Sequence, residues 1–225
     1  MSEARLSGAF AFLVFGAFQS SGIVVLGSDL YDGYYGETPP FAVDQEPWLG
    51  LVEEREGFVL IPAELEWTSL EVAPGAEGPR FRLSADLGRP LLLVSEVRGL
   101  RAGRIAGASP AMADLSVRTA RAEVELGGVS YDFSLESSYP EACTAVVTVS
   151  SGNASQRIPV EGVFGCGDPH FAIHWAGDLD SDGALDFLAT FSMKYSYHPR
   201  QLFLSSAAAP GELVGLAALT DRTAS

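Results

Sequence analysis

The sequence predicts a mainly β protein, a sandwich of antiparallel sheets with few short helices. Apolar and polar residues alternate with a period of two over residues 64–72, which is the pattern of a strand with one buried face. Gly127 and Gly128 separate two further strand-like segments, and a Gly-Gly pair is typical of a tight hairpin turn. The 225 residues include 24 glycines and 13 prolines, which indicates many turns, and are 47% hydrophobic, which suffices for a sizeable core.

Residues 1–22 are predicted to be a signal peptide. A short head containing Arg5 precedes an apolar run over residues 6–18 and a small, polar segment over 19–22. The run has the length of a secretory hydrophobic region and is too short to cross a bilayer by itself. We therefore expect a secreted or periplasmic protein without stable membrane insertion after cleavage. The apolar character continues over residues 23–26, so an N-terminal membrane anchor is the alternative.

Residues 23–46 are predicted to be an irregular N-terminal segment, followed by a β domain over residues 47–225. Aspartates, glycines and prolines interrupt any period in the irregular segment. It contains Tyr31, Tyr34 and Tyr35. We expect these tyrosines to pack a loop onto a sheet, and the alternative is an aromatic patch that faces a carbohydrate.

Turn signals divide the β domain into paired strands. Besides the Gly-Gly hairpin, we expect one hairpin with its turn at residues 53–57 and another with its turn at residues 150–153. A short apolar run over residues 91–95 predicts a central strand. A short helical turn is expected over residues 110–115 and a short helix over residues 211–219.

Residues 178–186 predict a calcium site. Calcium takes six to eight oxygen ligands in flexible geometry, and aspartates at the first, third, fifth and ninth loop positions surround one centre. The predicted ligands are Asp178, Asp180, Asp182, the backbone carbonyl of Ala184, and Asp186 directly or through water. Gly183 supplies the sharp turn. Without a cation the carboxylates would repel one another by about 1 kcal/mol per pair near 4 Å, even in water.

This loop resembles the calcium loops of two families. It matches the EF-hand at three aspartates and Gly183, but position twelve is Ala189 instead of a bidentate Glu, and the flanking residues are strand-forming. It also resembles the FG-GAP repeat of integrin alpha chains, in which a D-x-[DN]-x-D-G-x-x-D loop joins two strands. Phe187 and Leu188 match the apolar start of the second strand. The resemblance implies a calcium loop between strands, and one repeat alone does not imply a propeller.

The wider region from Trp175 to Val214 is similar to the C-terminal part of uncharacterised secreted bacterial proteins. That similarity implies export and no particular activity. We expect the calcium to be a structural staple, because a calcium sensor needs a helix pair that can open and the sequence predicts none.

Cys143 and Cys166 are the two cysteines of the chain, and they flank the predicted hairpin that turns at residues 150–153. In an exported β protein such a pair predicts a disulfide, which in the chain-entropy model stabilises the folded state by about 3 kcal/mol. The alternative is a structural zinc site, because His170 and His174 follow Cys166 at intervals of four residues.

The net charge of −15 argues against nucleic acid or an anionic membrane as partner, because both attract basic surfaces. The expected partner is a protein or a glycan whose identity the sequence leaves open. Arg98, Arg101 and Arg104 form a local basic cluster. We expect it to pair with carboxylates of the same chain, and the alternative is a bound phosphate or carboxylate.

No catalytic residue is predicted, because the sequence contains no nucleophile elbow, phosphate loop or zinc-protease helix. His170 with Asp168 is the best candidate for acid–base chemistry, while His174 and His198 are also near the loop in sequence. The sequence therefore favours an exported calcium-binding protein with a non-enzymatic binding or structural role. The alternative is a calcium-dependent extracellular hydrolase that acts on polysaccharide.

Overall fold

The protein is mainly β, with antiparallel sheets, as predicted. The computed structural model describes residues 22–28, 34–35, 47–70, 80–107, 113–114, 121–162 and 165–220. Within these ranges the strands form three sheets, and Ser205–Ala207 is a short 3-10 helix, η1. The predicted signal peptide, apart from Gly22, lies outside the described residues, so it stays a prediction.

The largest sheet is nearly closed and resembles a barrel. With strands numbered in chain order, its spatial order is β1 (Ile23–Leu26), β7 (Leu92–Ser95), β3 (Trp48–Glu54), β4 (Gly57–Ala63), β8 (Gly103–Gly107), β14 (His170–Asp178), β15 (Asp186–Ser192), β16 (Arg200–Leu204) and β17 (Gly215–Thr220), with β9 (Ala113–Asp114) paired to β14. The two outer strands meet at Gly22, whose carbonyl accepts a hydrogen bond from the Leu219 N–H at 3.1 Å. Beside it, the Val24 N–H donates to Thr220 Oγ1 at 3.2 Å.

Two smaller sheets complete the fold. The four-stranded sheet runs β10 (Arg121–Leu126), β11 (Val129–Ser137), β12 (Thr144–Ser151) and β13 (Ala154–Glu161), and the three-stranded sheet runs β2 (Tyr34–Tyr35), β6 (Arg80–Ala85) and β5 (Leu65–Leu70). The predicted hairpins are confirmed as β3–β4, β10–β11 and β12–β13. Gly127 and Gly128 have φ of 59° and 81°, the left-handed conformation that the Gly-Gly turn requires.

Strand β15 is buried on both faces, and all seven of its residues are buried. On one face, the Phe187 ring packs edge-on against Phe133 of the four-stranded sheet and stacks on Phe203 of β16, at centroid distances of 5.1 and 4.8 Å. On the other face, Leu188 joins Trp175 in the core inside the barrel-like sheet. The four-stranded sheet therefore packs against the large sheet on the Phe187 face of β15, which agrees with the sandwich prediction. The near closure of the larger sheet was not predicted.

Three local predictions are wrong. Ile23–Leu26 and Tyr34–Tyr35 are strands within the segment expected to be irregular, and Gly215–Thr220 is a strand where a helix was expected. Ala113–Asp114, expected in a helical turn, pairs with β14. β1, β2 and β9 pair with strands that are distant in sequence, so local composition does not reveal them, whereas β17 pairs with the preceding strand, β16. The tyrosine side chains at 31, 34 and 35 lie outside what the structure describes.

The predicted disulfide is confirmed. Cys143 and Cys166 are bonded across a Cα–Cα distance of 5.4 Å and close a loop over a separation of 23 residues. The bond ties the start of β12 to the segment that follows β13. The alternative zinc site with His170 and His174 is wrong, because both thiolates are consumed in the disulfide.

Candidate metal centre

The candidate metal centre is the connection between β14 and β15. These strands pair antiparallel, and the pairing ends where Gly177 faces Asp186. Asp178 is therefore the last residue of β14 and Asp186 is the first of β15. Strands flank the loop, as predicted, in contrast to the helices that flank an EF-hand loop.

Three of the predicted carboxylate ligands lie together. Asp178, Asp180 and Asp186 each offer an oxygen, and these oxygens lie within 4.8 Å of one another. Three oxygens at such spacings are at most about 2.8 Å (4.8 Å divided by √3) from a common centre, close to calcium–oxygen distances of about 2.3–2.6 Å. Among the described histidines, cysteines, aspartates and glutamates, this is the group of three or more that can hold a metal ion.

Asp182 does not join this group in the structure. Its Oδ2 accepts a hydrogen bond from Ser205 Oγ at 2.7 Å, and its Oδ1 accepts one from the Ala184 N–H at 2.9 Å. The Asp182 side chain is thus directed by these donors and is exposed. The proposed carbonyl ligand of Ala184 stays a prediction.

The backbone of the loop folds around the Asp178 carboxylate. Its two oxygens accept hydrogen bonds from the N–H groups of Asp182 and Gly183, at 2.9 and 3.0 Å. Gly183 has a φ of 88°, which agrees with its predicted role in the turn. Ser181 has a φ of 63°, a conformation that costs a residue with a Cβ on the order of 1–2 kcal/mol. The turn that brings the carboxylates together therefore includes an unfavourable backbone conformation at Ser181.

Asp186 anchors the loop from a buried position. Its side chain is fully buried, and Oδ2 accepts hydrogen bonds from the N–H groups of Leu179 and Asp180, at 2.6 and 3.3 Å. Oδ1 accepts from the Ser205 N–H at 2.8 Å and from Ser205 Oγ at 3.2 Å. One carboxylate thus holds both the start of the loop and the segment after β16.

Burial raises the pKa of Asp186 from 3.8 to about 7, and the nearby Asp180 charge adds to this effect. Hydrogen bonds from the backbone N–H groups of Ser205, Leu179 and Asp180 oppose it. Without a cation, Asp186 is therefore shared between its protonated and ionised forms near neutral pH. A cation in the cluster would favour the ionised form.

Ser205 and Ser206 belong to the site, although sequence reasoning missed them. They begin η1, directly after β16, which pairs with β15 so that Phe203 faces Phe187. Ser205 contacts Asp182 and Asp186 as described above, and Ser206 Oγ donates a hydrogen bond to Asp180 Oδ2. The aspartate spacing carries no sign of them, because they reach the loop through strand pairing.

The three histidines do not belong to the carboxylate cluster, and each contacts other side chains. His170 and His198 pack edge-on, with ring centroids 5.3 Å apart. His174 Nε2 is 2.8 Å from Thr190 Oγ1, which also accepts a hydrogen bond from Arg200. The acid–base pairing of His170 with Asp168 stays a prediction.

The basic cluster has one confirmed partner. Arg104 pairs with Glu56 at 3.3 Å, and both side chains are exposed. Such an exposed ion pair contributes about 0–1 kcal/mol to stability. The prediction that the cluster pairs within the chain is therefore confirmed for Arg104.

Comparison of the chain with models of known families, with curated proteins and with solved structures gives no match. The resemblance of residues 178–186 to known calcium loops thus depends on these residues alone. Among the described residues, no helix is long and apolar enough to cross a membrane.

Proposed function

We propose that the protein is an exported calcium-binding protein in which the ion staples the β14–β15 connection. The observation that carries the proposal is the convergence of Asp178, Asp180 and the fully buried Asp186 within 4.8 Å. Because strands flank this loop, we also propose that it is FG-GAP-like in its local arrangement.

The donor set favours calcium over other common ions. The cluster offers carboxylate oxygens, while zinc and copper prefer imidazole or thiolate ligands. Magnesium demands near-ideal octahedral geometry at about 2.0–2.1 Å, whereas calcium accepts irregular cages and several waters. The loop is partly exposed at Asp178 and Asp180, which leaves room for water to complete the coordination.

A structural role follows from what the carboxylates connect. Asp178 ends β14 and Asp186 begins β15, so one ion would join these two strands. The serines of η1, directly after β16, donate hydrogen bonds to carboxylates of the same cluster and so connect a third strand to the site. The ion would also neutralise carboxylates that otherwise repel one another. We therefore favour a non-enzymatic binding or structural module over a calcium sensor.

The described cavities do not favour the polysaccharide hydrolase as a second candidate. Glycoside hydrolysis uses two carboxylates about 5–10 Å apart in a cleft. Among the described residues, two cavities of about 300 and 410 Å³ are each lined by one carboxylate residue, Glu96 and Asp180 respectively, and by no tyrosine or tryptophan. The hydrolase stays a prediction from the sequence.

Export is supported by the Cys143–Cys166 disulfide, because disulfides persist in oxidising compartments outside the cytosol. The expected protein or glycan partner and the membrane-anchored alternative stay predictions.

Thermal melting tests the calcium proposal. The protein is first stripped with chelator, and calcium is then added to a hundredfold excess over its Kd, which stabilises the folded state by about 2.7 kcal/mol. The melting midpoint should rise with calcium, rise less with magnesium, and return with excess chelator. Asp180→Asn should weaken the response, whereas Asp132→Asn, at an exposed position on β11, should leave it unchanged.

Calorimetric titration with calcium measures the same binding without heating. A stripped protein whose melting midpoint and heat signal do not respond to millimolar calcium would refute the proposal. An equal loss of response in Asp180→Asn and Asp132→Asn would also contradict it, because general acidity would then explain the binding.

A further inference from the structure

A cavity of about 410 Å³ lies directly beside the candidate metal centre. It is lined by residues of the segment before β8 and of the start of β8, including Arg101 and Arg104, and by Leu179, Asp180 and Ser181 of the loop. Strand pairing holds the walls together, because Gly107 and Ala106 of β8 face Gly177 and Asp178 of β14. The volume lies within the range of about 300–1,000 Å³ that is usual for small-molecule sites.

The two arginines of this cavity differ in their contacts. Arg104 is paired with Glu56 at 3.3 Å. Arg101 is exposed and has no hydrogen bond or ion pair with another residue in the described part of the chain. Its planar guanidinium group therefore keeps its N–H donors for a ligand, and that fork matches the two oxygens of a carboxylate.

Asp180 belongs to both the cavity wall and the carboxylate cluster. When the loop is empty, its negative charge opposes the entry of an anion. When the loop holds calcium, the two positive charges of the ion offset part of the negative charge of the three carboxylates. Calcium takes six to eight oxygen ligands, so coordination positions are left that an oxygen of an anion can fill. The metal therefore reduces the repulsion of an anion beside Arg101.

We propose that this cavity binds an oxyanion group, such as the carboxylate of an acidic sugar, between Arg101 and the calcium-loaded loop. This inference depends on the proposed calcium binding and adds a ligand class to it. The chain is acidic overall, with 29 acidic and 14 basic side chains, so the anion must be captured locally and only when calcium is present.

Amide chemical shifts of the intact, folded protein test the inference. Sodium D-galacturonate and inorganic sulfate are titrated separately, at constant ionic strength, into calcium-loaded and chelator-stripped protein. D-galactose is the neutral control for galacturonate. The amides of Gly99, Gly103 and Ser181 should shift on addition of the anions to the calcium-loaded protein, and should not shift in the stripped protein or with galactose. A response to galacturonate alone identifies the carboxylate as the group that is bound.

Arg101→Gln should weaken the apparent affinity about tenfold or more, because hydrogen bonds to a charged group are lost. Arg98→Gln is the matched control, since Arg98 belongs to the same basic cluster but lines the separate cavity of about 300 Å³. Both variants should keep the melting midpoint and the calcium response of the parent protein.

The outcomes distinguish a failure of the oxyanion site from a failure of calcium binding. If calcium raises the melting midpoint but neither anion shifts these amides, the oxyanion site is refuted and the calcium proposal stands. If the stripped protein binds the anions equally well, or both arginine variants lose affinity equally, the calcium-gated site is also refuted. If calcium does not bind, both proposals fail together.

Discussion

In protein stripped of divalent cations, the buried carboxyl group of Asp186 should make the folded state less stable as the pH rises from 4 to 7. The pKa of Asp186 is raised to about 7 in the folded protein, from an ordinary value of 3.8. Between these values the folded state holds a proton that the unfolded state has lost. The free energy of unfolding therefore decreases as the pH rises, and the whole contribution is lost above pH 7.

The magnitude follows from the two pKa values. Their difference of about 3, at roughly 1.4 kcal/mol per pH unit, corresponds to on the order of 4 kcal/mol. A proton on Oδ1 can be donated to Ser205 Oγ, which still donates to Asp182, so the protonated form keeps a satisfied network. Saturating calcium should flatten or reverse the trend, because the ion binds the ionised carboxylate and is favoured by higher pH.

Urea unfolding at a series of pH values, followed by tryptophan fluorescence, measures this effect. Asp186→Asn is the reference, because the amide does not titrate and other carboxylates contribute equally to both proteins. The stability of the parent relative to the variant should fall by on the order of 4 kcal/mol between pH 4 and pH 8. Parallel profiles would refute the reasoning. Should the variant not fold, the ¹³C shift of the Asp186 carboxyl group reports its pKa directly.

Three further changes have defined outcomes. Ser205→Ala removes the hydroxyl that donates to two loop carboxylates and should cost about 1–3 kcal/mol in urea unfolding, besides weakening calcium binding. Replacing Cys143 and Cys166 together by serine should lower stability by about 3 kcal/mol, measured by thermal melting against the oxidised parent. Gly177→Ala should cost about 1–3 kcal/mol, because the added Cβ would lie 2.5 Å from the Trp175 ring and 2.8 Å from a backbone oxygen.

Each of these changes has a control or an outcome that would contradict it. Ser130→Ala removes an exposed hydroxyl hydrogen bond on another sheet and should change stability by less than about 0.5 kcal/mol. Equal effects of the two serine changes would contradict the role of Ser205. A reduced parent that melts like the oxidised parent would contradict the value given to the disulfide. Unchanged melting of Gly177→Ala would show that the Trp175 packing is looser than described.

The short-range features of the fold could be predicted from the sequence. The period of two predicts β5 and the Gly-Gly pair predicts the turn of β10–β11, because both signals depend on neighbouring residues alone. Strands β1 and β17 could not be predicted in this way. Their pairing joins Gly22 to Ala218, and an isolated apolar segment of four or six residues does not specify its partner.

In the candidate site, too, the features that depend on neighbouring residues could be predicted, and those that depend on strand pairing could not. Alternating aspartates predict Asp178, Asp180 and Asp186 because the chain between them is short. The separation of Asp182 and the entry of Ser205 could not be predicted, since both depend on the pairing of β15 with β16. The raised pKa of Asp186 is likewise a consequence of tertiary burial.

The seam between the first and last strands of the large sheet has a consequence for how the chain reaches its folded state. Val24 and Thr220 are 196 residues apart in sequence, yet they are joined by a hydrogen bond. Almost the entire polypeptide must therefore be available before the ring of strands can be completed. Until then, both margins carry unpaired backbone groups that invite association with other chains.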